Sequence, residues 1–121
     1  MDKLDTLIKD QTKLMERLGV LKLPSSQLGR HSNNFDHLTA DTMTTSFALL
    51  DEVHEFAREL NWKPWKKTKK EVDLRKVQLE LIDAFHFMLE LMIIWGLDAN
   101  QIFELYQSKL AENHKRQDGG Y

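Results

Sequence analysis

The sequence predicts an all-α protein, a four-helix bundle forming one domain over residues 1–121. Three observations carry this reading. Apolar residues recur with helical period in four stretches, no stretch alternates with the period of two that a strand requires, and glycines or capping residues stand at the ends of the helical stretches.

The first helix is expected over residues 2–18, where Leu4, Leu7, Ile8, Leu14, Met15 and Leu18 fall at helical spacing and Gly19 is a plausible stop. Residues 20–42 read as a long connection rich in turn formers, among them Pro24, Ser25, Ser26, Gly29, Ser32, Asn33 and Asn34. A loop of that length is usually functional or holds a short helix. A second helix is expected over 44–60, with Leu49, Leu50, Val53, Phe56, Ala57 and Leu60 on one arc. A basic, aromatic turn follows over 61–67 and is broken by Pro64. Thr68 and Glu71 have capping-box spacing for a third helix reaching Trp95, with Gly96 as its C-terminal cap. Asp98 and Gln101 repeat the capping-box spacing for a fourth helix to about residue 115, and the tail leaves the helix at Gly119 and Gly120.

The third helix is apolar nearly all round. Leu74, Val77, Leu81, Ala84, Phe85, Met88, Met92 and Trp95 form one face, and Leu79, Ile82, Leu89 and Ile93 much of another. A helix of this kind is buried on all sides. Four helices in so short a chain hardly cover both faces, so a homodimer or a dimer of dimers is expected to complete the bundle.

Composition narrows the function. The net charge is -2, which gives no general attraction to nucleic acid or to an anionic membrane. Cysteine is absent, excluding disulfides, zinc fingers and thiol nucleophiles. The most apolar stretch, 84–97, contains His86 and Glu90 and is too short and polar to span a bilayer. The N-terminus lacks a basic region followed by an apolar segment, so no signal peptide and a cytoplasmic location are expected. Walker-type glycine loops, Ser-His-Asp ordering and zinc motifs are missing.

Chemistry concentrates in four acids. Glu52 and Glu55 stand one turn apart on the second helix, bordering its apolar arc, and Glu80 and Asp83 repeat the spacing inside an apolar run of the third. Alone, the first pair reads as a solvated face. The second pair, with Leu79, Leu81, Ile82, Ala84 and Phe85 beside it, is costly without a compensating positive charge. If the two helices pack, four carboxylates converge and call for a cation. Ligands that are all carboxylate oxygen favour Mg²⁺, with Mn²⁺ able to substitute. Such an ion serves to bind a polyphosphate and activate water.

A rival reading pairs Asp51 with His54 and Asp83 with His86, the carboxylate-x-x-His spacing of di-iron bundles. Asp51 and His54 fall toward solvent, away from Glu52 and Glu55, and the strict di-iron motif uses Glu. His86 reads better as a hydrogen-bonded histidine supporting Asp83. Cations suited to a polyphosphate stand at Lys109 and Arg116, with Asn113 on the same side of the fourth helix, and Lys66 stands among Lys63, Lys67, Lys69 and Lys70 in the turn. The plain alternative for the fourth helix is basic residues complementing its dipole. Trp62 and Trp65 are candidates to stack on a base or to pack against a helix end.

Together these residues resemble the all-α dimeric dUTPases of the MazG-like nucleoside triphosphate pyrophosphohydrolase superfamily. The resemblance rests on Glu52-x-x-Glu55, on Glu80-x-x-Asp83 followed by His86-Phe87, and on Lys109, Asn113, Arg116, Gly120 and Tyr121 at the family's spacing. The Asn-Trp-Lys-Pro-Trp-Lys turn over 61–66 and Gln11 with Leu14 add to it. The resemblance implies Mg²⁺ held by Glu52, Glu55, Glu80 and Asp83, with one glutamate orienting or deprotonating the attacking water. It implies phosphate contacts from Lys109, Asn113, Arg116 and Tyr121, and a base pocket built partly by the first helix and the Trp turn. Gln11 and Asn61 are nominated as the polar groups of that pocket, with Trp62 or Trp65 as its wall. Two departures stand out: Met15 occupies a position where the family commonly has Asn or another polar residue, and the long insertion that larger members carry before the last helix is missing.

The expected activity is hydrolysis of dUTP to dUMP and pyrophosphate, with dUDP, which would give dUMP and phosphate, a further candidate substrate. The alternatives are a MazG-like enzyme for another nucleotide, such as dCTP or a modified one, and a helical dimer that binds a nucleotide or protein without catalysis.

Overall fold

The computed structural model of the chain describes residues 2–21, 24–25 and 35–120. It contains four helices in the order α1 (Lys3–Leu18), α2 (Asp36–Arg58), α3 (Leu74–Ile94) and α4 (Ala99–Asp118), and no strand among the described residues. The all-α architecture agrees with the sequence-based expectation. The segment holding Ser26, Gly29, Ser32, Asn33 and Asn34 lies outside the described residues, as does Tyr121.

Local chemistry sets most boundaries. Asp2 caps α1 by accepting from the Asp5 N–H at 2.8 Å, and Gly19 ends it in the left-handed conformation, φ 71°. The expected capping box of α4 is complete: Asp98 accepts from the Gln101 N–H at 2.8 Å, and the Gln101 side chain accepts from the Asp98 N–H at 2.9 Å. Gly96, with φ 79°, makes the reversal after α3, where a side chain is disfavoured.

Two starts differ from expectation. Helix α2 begins at Asp36 rather than near residue 44, and its N-cap, Phe35, offers no side-chain hydrogen bond. Tertiary contacts make these early turns. Leu38 is 1% exposed in the core, Phe35 packs on Trp95 with ring centroids 5.9 Å apart, and the Trp95 indole N–H donates to Thr42 Oγ1 at 2.8 Å. Helix α3 begins at Leu74 rather than near Thr68, because Asp73, not Thr68, caps it by accepting from the N–H groups of Arg75 and Lys76.

Helices α2 and α3 form an antiparallel hairpin, with α1 laid across α3 and the start of α4 against α1. The core gathers Ile8 and Met15 of α1, Leu38 of α2, and Leu89, Ile93 and Ile94 of α3, with Ile102 of α4 packed on it. It therefore fills one end of the hairpin, and the acid-bearing stretches occupy the other. No described helix is long and apolar enough to cross a membrane.

One acid is drawn into the core end. Glu90, nearly buried on α3, has its pKa raised first by desolvation and then by Asp41 of α2. A carboxyl with a raised folded pKa adds its stability below the unfolded value and loses it as pH rises through the folded one. Glu90→Gln is thus expected to stabilise the chain at pH 7 by on the order of 1 kcal/mol, the scale of an uncompensated desolvated group. Urea unfolding across pH 4–8 checks this, and a variant less stable than wild type at pH 7 contradicts it.

Candidate active site

The hairpin brings the two acid pairs face to face. Oxygens of Glu52, Glu80 and Asp83 lie within 4.8 Å of one another, with Glu52 and Glu80 half-buried and Asp83 exposed. The Glu55 carboxylate acts on both Glu52 and Glu80, helping to raise the pKa of each. Three of the four expected acids thus converge, with Glu55 outside the group whose oxygens lie that close.

The electrostatics of the cluster are unfavourable as it stands. Glu52 is pushed above the ordinary carboxylate range by burial first, then by Glu55, Asp83 and Glu80. Glu80 is pushed up by burial first, then by Glu55, Asp83 and Glu59. Glu52 Oε2 and Glu80 Oε2 are buried and have no hydrogen-bond partner. Buried acceptors are normally satisfied, and an orphan pair among like charges fits a missing positive partner. The donors are hard oxygens only, which suits Mg²⁺ or Mn²⁺. Glu59, one turn beyond Glu55, extends this acidic field. It was available from its i+4 spacing to Glu55, but the paired-acid pattern does not single it out.

His86 departs from expectation. Its ring does not support Asp83: the Nδ1–H donates across to Gln11 Oε1 of α1 at 2.8 Å. The i+3 spacing puts both residues on one side of α3, but the buried Gln11 amide (6% exposed) needs a partner and captures the ring. Gln11 is thereby fixed one turn along α3 from Asp83. Asp51 and His54 are exposed, which removes them from the acid cluster. Met15 is fully buried in the core.

The turn between α2 and α3 forms the second wall. A cavity of about 480 Å³ is lined by Arg58, Asn61, Trp62, Lys63, Lys66 and Lys69, with Glu59 also on its surface. Trp65 packs edge-on against Trp62 with ring centroids 5.8 Å apart, and the Lys63 ammonium lies 5.5 Å from the Trp62 ring centroid. Among the described residues, no carboxylate lies within ion-pair distance of Lys63, Lys66, Lys67, Lys69 or Lys70.

The remaining cations stand apart. Residues 103–118 are exposed throughout. Lys109 and Arg116 both pair with Glu112, at 2.9 and 2.7 Å. Asn113 and Arg116 line a separate cavity of about 330 Å³ with no acid of the cluster in its wall. The single chain therefore does not carry these three residues to the carboxylates.

Fold and site define a class: an all-α protein in which two antiparallel helices crowd carboxylates beside a lysine- and tryptophan-bearing turn. The chain belongs to the dUTPase family whose model matches residues 2–96, a span that includes all four acids, Gln11 and the Trp turn. It is similar to a dCTP pyrophosphatase of Enterobacteria phage LZ5, 38% identical over 101 residues, covering 73% of this chain and 59% of the relative. It is also similar to a dCTP pyrophosphatase of Enterobacteria phage T4, 37% identical over 71 residues, covering 50% of this chain and 42% of that relative. The matched parts thus span about half the length of these relatives. No solved structure gives a significant match.

Proposed function

We propose that the chain hydrolyses a pyrimidine deoxynucleoside triphosphate to the monophosphate and pyrophosphate with Mg²⁺. The observation that carries the reading is the convergence of Glu52, Glu80 and Asp83, with two buried, unpartnered carboxylate oxygens. Glu52, Glu55, Glu80 and Asp83 are the residues that hold the ion. A bound divalent ion supplies charge neutralisation for the polyphosphate and acidifies water. Glu55 and Glu52 are the residues proposed to orient the attacking water and take its proton. Lys66 of the turn, Lys109, Asn113 and Arg116 of α4, and Tyr121, which lies outside the described residues, bind phosphate oxygens. Since α4 lies away from the acids of its own chain, its cations are proposed to serve the site of a second copy in a homodimer or a dimer of dimers. Exposed apolar side chains support association: Phe47 is 63% exposed, Ile82 52% and Phe103 61%.

The base is read where Gln11 and His86 meet. Because Gln11 Oε1 accepts from His86 Nδ1–H, the Gln11 NH₂ is left to donate to a base, and in this tautomer His86 Nε2 is left to accept. Uracil offers an acceptor at its 4-position beside a donor at N3, and cytosine offers the same two functions in the opposite order. dUTP is the first reading, favoured by the family. dCTP is the second, favoured by the names of the two phage proteins.

Turnover with Mg²⁺ across dUTP, dCTP, dTTP and their ribonucleotides is the test. The preferred pyrimidine is expected to exceed the other by up to ~10⁴-fold, the scale of an unpaired polar group in a base site. Gln11→Ala should narrow that gap, while Arg116→Ala should weaken every nucleotide alike. Hydrolysis of none of them, with Mg²⁺ bound, sinks the proposal and leaves a helical binding protein.

A further inference from the structure

The segment joining α2 to α3 has no helix or strand of its own, yet it is tied closed. The side-chain amide of Asn61 acts like a second backbone peptide: its Nδ2 donates to Lys70 O at 2.9 Å, and its Oδ1 accepts from the Lys70 N–H at 3.0 Å. The chain leaves and returns at one point, which closes residues 61–70 into a loop. Inside it, Lys69 Nζ donates to Lys63 O at 3.1 Å and the Lys66 N–H to the same oxygen at 3.2 Å. Outside it, Lys70 Nζ donates to Arg58 O, one of the carbonyls left over at the end of α2.

This arrangement holds together what electrostatics would open. The loop carries five lysines, Lys63, Lys66, Lys67, Lys69 and Lys70, and like charges in a short segment repel. The same loop presents Trp62, Lys63 and Lys66 on the cavity wall, and Glu59 on that wall also belongs to the field around Glu80. The wall is therefore next to the acid cluster. The Asn61 amide is bonded twice to Lys70, which commits the side chain to holding the loop rather than to the base contact its place in the sequence suggests.

We propose that Asn61 is a positioning residue: its amide staples the 61–70 loop shut, so that Trp62, Lys63 and Lys66 stand as one preformed wall for the nucleotide beside the acids. The inference rests on the nucleotide-hydrolase reading above. A preformed wall removes the ordering cost that a loose loop pays at each binding event. Its loss should therefore appear in substrate capture rather than in the chemical step.

The test compares wild type, Asn61→Ala and Asn61→Asp in the full chain, using the pyrimidine triphosphate that wild type turns over. Asn61→Asp keeps the acceptor for the Lys70 N–H and loses the donor to Lys70 O. Asn61→Ala is expected to raise KM about tenfold or more while kcat stays within about threefold, and Asn61→Asp to fall between. In nucleotide-free protein, near-UV circular dichroism from the Trp62–Trp65 pair should collapse in Asn61→Ala, and Trp65→Phe identifies that component. An unchanged near-UV spectrum overturns the staple. A lost spectrum with unchanged KM overturns the positioning role, as does a loss confined to kcat. A wild type that hydrolyses no nucleotide defeats the hydrolase reading and this role with it, whereas an active wild type matched by Asn61→Ala defeats this role alone.

Discussion

Asp83→Asn and Glu80→Gln are expected to reduce kcat/KM on the order of 10³-fold or more, and EDTA to abolish turnover until Mg²⁺ or Mn²⁺ is restored. The size follows from the several kcal/mol that a divalent ion contributes to a phosphoryl transition state. The two substitutions preserve shape and remove charge, so a fold effect is separable. Indeed the metal-free chain should gain stability from Glu80→Gln. The Glu80 carboxyl has a raised folded pKa, so its contribution is present below the ordinary value of 4.5 and lost as pH climbs through the raised one. At neutral pH wild type therefore carries a penalty that the amide lacks. Saturating Mg²⁺ should reverse the order, because a bound ion stabilises only the chain that binds it. Thermal unfolding of both proteins at pH 7, with and without Mg²⁺, reads this crossing. Full activity in EDTA, or a wild type whose stability ignores Mg²⁺, contradicts the metal assignment.

Sedimentation is expected to give at least twice the 14.3 kDa chain mass at micromolar concentration. Apolar side chains stand out along three helices: Phe47 is 63% exposed on α2, Ile82 52% on α3 and Phe103 61% on α4. Large apolar side chains left exposed on three helices are candidates to be covered by a second copy. In a two-fold interface each residue counts twice. Burying a large side chain is worth about 1.5–3 kcal/mol, so Phe47→Asp should cost roughly 3–6 kcal/mol of association, or about 10²–10⁴-fold in Kd. A clean 14.3 kDa species for wild type at micromolar concentration is incompatible with the proposal.

What the sequence makes legible is whatever is decided within a few residues. The Gly19 stop and the Asp98–Gln101 capping box are local, and both are found as expected. The start of α2 is not local. Asp36, His37 and the threonines beyond have little helical pattern, and the helix exists there because Leu38 is buried and Trp95 bonds to Thr42. The start of α3 misleads for a different reason. Thr68 and Glu71 have capping-box spacing, but the Asn61 amide takes the peptide groups of Lys70, and Asp73 caps instead. The acid cluster is legible because carboxylates inside an apolar run are costly enough to need an explanation. The partner of His86 is not, since Gln11 lies seventy-five residues away on another helix.

The pairing of Lys109 and Arg116 with a single residue, Glu112, bears on product release. In the proposed reaction Glu112 acts as a resident counter-ion in the manner of an exchange resin. Exposed ion pairs of this kind are worth only ~0–1 kcal/mol, so an incoming triphosphate chain displaces the carboxylate at small cost. Once the phosphate chain is cut, each fragment carries fewer charges and competes less well, and Glu112 is tethered close enough to reclaim both cations. In the proposed reaction, the helix that helps to capture the substrate is thereby equipped to let the products go.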